Sequence, residues 1–140
     1  MAVRVLIAEN NASAREKIKR TLGQETGVEI VGECADGFET VLLLEKHEPD
    51  LVFLEIQMPD ADGFEILQKL KIDKKPFVIF VSESENFAAR AFEVGAADYL
   101  VKPFSKQRLQ TAFNRTRERI EGRQNGSIKK LLDSFLNKLS

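Results

Sequence analysis

Cysteine is nearly absent from this chain: Cys34 stands alone among 140 residues. A single cysteine makes no internal disulfide, so stability must come from a packed core, and the usage is what a reducing, cytoplasmic setting predicts. Net charge is nearly absent as well. Twenty-one Lys and Arg against 22 Asp and Glu leave −1, which gives no global footprint for direct nucleic-acid binding or for an anionic membrane. No apolar run approaches the ~18 residues of a membrane span. Met1-Ala2-Val3-Arg4 leads straight into a strand-like run, so no secretory leader is expected. There is no internal repeat, no zinc-ligand spacing and no phosphate-cradling glycine loop. What remains is a length that buries one core, a single domain with an appendage.

The chain is organised around residues 50–63. An apolar run suited to a strand buried on both faces ends in the carboxylate Glu55, and Pro59 and Gly63 then turn the chain toward a helix. In chain order, residues 4–9 read as a first strand ending in Glu9-Asn10. Ser13 and Glu16 form a capping box before a helix with Ile18 and Leu22 on one face. Residues 29–34 are a second strand, Asp36-Gly37 a turn, 38–47 a helix and 50–56 the third strand. Residues 63–71 carry Phe64, Leu67 and Leu70 at helical spacing. Residues 77–82 are the fourth strand, and 87–94 a helix with Ala88, Ala91 and Phe92 inward. Residues 99–102 are a short fifth strand, broken by Lys102-Pro103. Ser105 caps a helix to about Gly122, with Leu109, Ala112, Phe113, Thr116 and Ile120 inward. Five strands alternating with five helices predict an α/β domain, a parallel sheet covered on both faces, over residues 1–123.

Residues 124–140 read as a hinge at Gln124-Asn125-Gly126 followed by a separate amphipathic helix capped by Ser127. Ile128, Leu131, Leu132, Phe135, Leu136 and Leu139 recur at three- and four-residue spacing, opposite charged residues. This face is a candidate interaction surface. A second copy, a groove on another protein and the domain's own surface are the candidate partners, a membrane the least favoured.

In an open parallel sheet, chemistry collects outside the carboxyl ends of the strands. Those ends carry Glu9 and Asn10, then Glu55, then Ser82, then Lys102 followed by Pro103. With Met58-Pro59, Gly63 and the segment Ala91-Phe92-Glu93-Val94-Gly95-Ala96-Ala97-Asp98-Tyr99-Leu100-Val101-Lys102-Pro103-Phe104, this set resembles a response-regulator receiver domain. The wording of that segment is most similar to receivers of LytTR-type regulators. The resemblance implies a flavodoxin-like, doubly wound sheet of strand order 2-1-3-4-5. It also implies an acidic Mg²⁺ pocket at Glu9 and Asn10, a phosphoacceptor position at Glu55, switch residues Ser82, Tyr99 and Lys102, and a cis Lys102-Pro103 bond. The Mg²⁺-site equivalents are Asn10, Glu55 and Gln57.

The chemistry-bearing positions depart from the family pattern. Glu9-Asn10 replaces two Asp, Glu55 replaces the acceptor Asp, and Glu83 follows Ser82 where a small residue is usual. Glu55 reaches further than Asp by about one C–C bond, ~1.5 Å, and a misplacement near 1 Å can cost ~10²-fold in a positioned reaction. The expectation is a pseudo-receiver: a signalling module that acts through protein contacts, without phosphorylation, enzymatic activity or a cofactor. Its partner would be a kinase, an output domain or another regulator. A second copy would meet it at the fourth helix, fifth strand and fifth helix, or at the C-terminal helix. The alternative within the family is a phosphorylatable receiver using Mg²⁺; outside it, a small acid/base enzyme using Glu9 and Glu55. Glu55 is expected to pair with Lys102 and to mimic a phosphoryl group in part, drawing Tyr99 inward. Ser82 either caps the helix that follows or donates to Glu55. Cys34 reads as a buried small hydrophobe and His47 as a helix-end residue.

Overall fold

Strand residues alternate between two cores, and this alternation builds the domain. The computed structural model describes residues 2–139, the side chains of Ser127 and Ile128 excepted. The strands β1 (Val3–Ala8), β2 (Val28–Cys34), β3 (Leu51–Glu55), β4 (Phe77–Ser82) and β5 (Asp98–Val101) form one parallel sheet in the order β2-β1-β3-β4-β5. Val5, Ile7, Leu51, Phe53, Ile79 and Val81 enter one core. Leu6, Ala8, Val52, Leu54, Val78 and Phe80 enter the other, as the two-residue period of a strand requires. Helices α1 (Ala12–Gly23) and α5 (Lys106–Leu139) cover the first face. Helices α2 (Gly37–His47), α3 (Gly63–Lys69) and α4 (Ala88–Glu93) cover the second. The doubly wound fold and its strand order are those the sequence predicts. Cys34 is buried beside Thr40, and burial pushes its thiol up to about 11. His47 ends α2.

Three local readings need correction. The cap of α1 is Asn11, whose side chain accepts the Ala14 N–H, so Ser13 lies inside the helix and the capping box does not form. Asn is as good a cap as Ser, and the earlier of two candidates takes the position. In α4, Phe92 is exposed, while Phe87 and Ala88 pack beside the buried Ala91. Ala88 is compatible with either 91 or 92 at helical spacing; Phe87, four residues before Ala91, rotates the inward stripe away from Phe92.

The third correction concerns the hinge. Residues 124–126 are helical, and α5 runs unbroken for 34 residues. The expected separate C-terminal helix is therefore its continuation. Asn125 and Gly126 each cost only up to about 1 kcal/mol in a helix, no proline intervenes, and helix formers flank them. Leu109, Ala112, Phe113, Thr116 and Ile120 are buried as expected. Beyond them Leu131, Leu132, Phe135, Leu136 and Leu139 are exposed; the side chain of Ile128 lies outside the described residues. The start of α5 is held by Ser105, which accepts the Arg108 N–H, and by the Arg108 fork on Asp98 at 2.7 and 3.1 Å.

An added Cβ meets nothing within 4 Å at Gly122 or Gly126. Gly126→Ala should therefore raise far-ultraviolet helicity, and Gly122→Ala should stabilise by about 0.5–1 kcal/mol. A hinge at Gly126 would instead leave the helical signal unchanged.

Candidate functional site

Parallel register brings four strand ends to one edge. Ala8 pairs with Leu54, Leu54 with Phe80, and Ser82 with Val101. Glu9, Glu55, Ser82 and Lys102 therefore emerge side by side. Gly63 allows the β3 exit to close over them. A Cβ there would sit 3.0 Å from the Glu55 carbonyl oxygen and 3.2 Å from the Leu54 side chain, and the Gly63 N–H donates to Ile56 O.

At the centre is a buried ionic triad. The Lys102 ammonium donates to Glu9 Oε1 at 3.0 Å, to Glu9 Oε2 at 3.2 Å and to Glu55 Oε1 at 2.8 Å. Backbone N–H groups hold the remaining carboxylate valences: Asn10 N donates to Glu55 Oε2 and Asn11 N to Glu9 Oε2, each at 2.8 Å. Glu9 is wholly buried, and Glu55 is 7% exposed. The expected contact of Glu55 with Lys102 is thus direct, and Glu9 shares the same cation.

Two carboxylates on one ammonium cannot both ionise freely. Burial, then the hydrogen bond shared with Glu55, pushes Glu9 up to about 7, against the pull of the Asn11 N–H and Lys102. Burial also raises Glu55, but hydrogen bonds from Glu9, Lys102 and the Asn10 N–H outweigh it, and Glu55 ends below its ordinary value. Lys102 is pulled down by burial and pushed up more strongly by both carboxylates, so it stays charged. The two carboxyls titrate as a pair, with Glu9 the weaker acid of the two.

The other predicted residues sit around this triad. Ser82 is buried and its hydroxyl accepts the Ser84 N–H at 3.1 Å, within the loop before α4; the expected helix cap does not form, because α4 starts only at Ala88 with Phe87 at its cap position. Tyr99 is buried, its hydroxyl donating to the Ser84 carbonyl. The Lys102–Pro103 peptide is cis. Gln57 is exposed and bridges to Asp62 outside the triad. Glu83 is exposed; with Asn11, Lys17, Lys102 and Phe104 it lines an open cavity of about 420 Å³. Neither glutamate lines that cavity. An acid/base pair needs substrate within hydrogen-bond reach, and here Lys102 and the loop amides occupy that reach.

The residues match Mg²⁺ poorly. The ion takes near-octahedral oxygen ligands at about 2.0–2.1 Å, whereas the Glu9 and Glu55 oxygens accept from Lys102 and two backbone amides. The Asn10 side-chain nitrogen donates to Ala35 O at 3.1 Å. Gln57 stands apart. Sequence reasoning missed Asn11 and Arg15. Asn11 supplies both the helix cap and an N–H to Glu9, and Arg15 donates to Glu9 O at 2.7 Å. The second asparagine of Asn10-Asn11 was the available signal.

The triad predicts two stability effects. Glu9 binds a proton more tightly folded than unfolded, so its contribution is complete below pH 4.5 and lost as pH rises through about 7. Glu55 contributes in the opposite sense, above 4.5, and loses its share as pH falls. The urea midpoint should therefore peak between these limits and fall toward pH 8, and Glu9→Gln should flatten that alkaline fall. Lys102→Met strands buried carboxylate charge and should cost about 3–5 kcal/mol at pH 8, and less near pH 5, where Glu9 keeps its proton.

Comparison with known proteins agrees with this fold. The response regulator receiver domain family matches residues 5–114. An uncharacterized response regulatory protein of Yersinia pestis is 40% identical over 113 residues, covering 81% of this chain and 48% of that protein. The sensory transduction protein LytT of Oceanobacillus iheyensis is 35% identical over 121 residues, covering 84% and 49%. The chain thus spans about half the length of the curated relatives it matches. Among solved structures, the receiver domain of AraT, a response regulator from Geobacillus stearothermophilus, superposes with a TM-score of 0.80 at 30% identity, covering 89% of this chain and 99% of that one. By sequence match and by fold, this chain belongs to the response regulator receiver domain family of two-component signal transduction.

Proposed function

We propose that this receiver relays signals through protein–protein contacts without phosphorylation at position 55 and without Mg²⁺. One observation carries the reading: the Lys102 ammonium is already bound by Glu9 and Glu55 in a buried site. In a receiver that accepts a phosphoryl group, the equivalent lysine is needed for the incoming oxygens. Here those oxygens would have to displace two short charge-assisted bonds, each stronger than an ordinary hydrogen bond. Glu55 holds negative charge there permanently. It mimics a phosphoryl group only in part, since a carboxylate carries one charge and a phosphoryl about −1.5 to −2.

The partner surface in this reading is the face of α4, β5 and the start of α5. Phe92, Val94 and Val101 are exposed there, 54%, 55% and 39% respectively, and Tyr99 lies inward beneath them. A kinase, an output domain or another regulator in the cytoplasm is the partner class. Among the described residues no helix is long and apolar enough to cross a membrane.

Incubation with acetyl phosphate and Mg²⁺, followed by intact-mass analysis, tests the reading. The expected result is no added phosphoryl group, whereas the triple variant Glu9→Asp, Asn10→Asp, Glu55→Asp should acquire one. A phosphoryl group on the unaltered chain that disappears in Glu55→Gln would overturn the proposal.

A further inference from the structure

Two exposed apolar surfaces on this chain are opposite in charge and cannot meet within one copy. The first is the stripe Leu131, Leu132, Phe135 and Leu139 at the end of α5, 56–71% exposed. At 100° per residue these four fall within about a third of the helix circumference. Lys129 and Lys138 border the stripe on its two sides, with Lys130 behind, against a single acid, Asp133.

The second surface is a groove of about 290 Å³ between α2 and α3, lined by Phe38, Val41, Leu42, Asp60, Ala61 and Ile66, among others. Phe38 is 72% exposed and Leu42 53%. The groove is built rather than incidental. Asp60 accepts the Gly37 and Phe38 N–H groups at 2.6 and 3.0 Å, which pins the start of α2 to the β3–α3 loop. A Cβ on Gly37 would lie 3.0 Å from Ala61 Cβ, so the floor closes only over glycine. Those two amide bonds hold the Asp60 carboxyl below its ordinary value. Glu45 continues the α2 stripe one turn beyond Val41 and Leu42, Asp62 and Glu65 open α3, and Lys69 is the one base among the lining residues. The helices around the groove thus carry more acid than base, and its lining is mostly apolar.

We infer that the α5 stripe of a second copy of this chain seats in the α2–α3 groove. Three observations favour that occupant. Helix α5 covers the sheet face opposite α2 and α3, and its unbroken course past Gly126 prevents a turn back to its own groove. Pairing of stripe with stripe would set lysine-bordered faces together over about three turns, well short of the three to four heptads of a coiled coil. Stripe in groove instead joins a basic border to helices that carry more acid than base. When each copy gives a tail and receives one, the contact closes on itself as a two-fold dimer.

Sedimentation equilibrium of the full chain tests this with two variants that alter only exposed side chains. Phe38→Ser with Leu42→Ser removes the groove walls; Leu132→Ser with Phe135→Ser removes the stripe. Unaltered protein should be dimeric, each double variant monomeric, and an equimolar mixture of the two should form a heterodimer, because one intact tail meets one intact groove. Raising the salt concentration should weaken the dimer, since the opposite charges attract. A dimer that survives Phe38→Ser with Leu42→Ser, or that tightens with salt, would show stripe-on-stripe pairing and overturn the inference. An unaltered chain that stays monomeric, or a mixture that stays monomeric, overturns it equally.

Discussion

One buried ammonium decides what the carboxyl edge of this sheet can be. Lys102 is the cation placed between Glu9 and Glu55, and both glutamates are largely out of water. Removing two carboxylates and an ammonium from water costs several kcal/mol per ion, recovered only when geometry is good and the remaining valences are met. Both conditions hold here: the N–H groups of Asn10 and Asn11 take the carboxylate oxygens that Lys102 does not saturate. The conformation of the β1–α1 loop follows from this arrangement, since Asn11 caps α1 with its side chain and serves Glu9 with its backbone.

The fold was legible because its signals are local. Continuous apolar runs such as residues 51–54 and 77–81 are short and rich in Val, Ile and Phe, which favours strands buried on both faces over helices, and Gly27, Pro59, Gly63 and Gly95 punctuate the chain between its elements. Placement of the site was legible for the same reason: a parallel sheet brings all carboxyl ends to one edge, so Glu9, Glu55, Ser82 and Lys102 had to be neighbours. What was not legible depends on angle and on competition. The inward side of α4 turns on whether Phe87 or Phe92 completes the stripe with Ala88, and both satisfy the spacing. Continuity at Gly126 turns on about 1 kcal/mol per glycine against propagation of an established helix. Which glutamate is the weaker acid turns on the burial of Glu9 and on which amides reach each carboxylate. None of these is written in residue order.

The length of Glu55 has consequences beyond its charge. An aspartate at this position would end about one C–C bond earlier, ~1.5 Å. The Glu55 carboxylate reaches both Lys102 and the Asn10 amide, and so ties β3 to β5 and to the loop after β1. Tyr99, on the same strand as the lead-in to Lys102, lies inward with its hydroxyl on the Ser84 carbonyl, and Ser84 in turn donates its N–H to Ser82. The chain from Glu55 through Lys102 to β5, and from Ser82 through Ser84 to Tyr99, is continuous and fully hydrogen-bonded at its buried positions. Such a chain is stiff, because each member fixes the next.

A stiff site bears on how a module of this kind is controlled. An equilibrium between two conformations shifts only by the difference in free energy with which an input binds them. In a switchable receiver that difference comes from a phosphoryl group that is present or absent. On the reading proposed here, Glu55 is always present and its charge is always spent on Lys102, so the site contributes a constant bias. Any variable input must then act elsewhere on the surface, where affinity differs between states. Of the exposed residues Phe92, Val94 and Val101, the last is on β5, the strand that carries Tyr99, and Phe92 is on α4, which packs beside it. On the same reading, a protein bound there would contact the strand whose register fixes Lys102, and so couple to the triad without entering it.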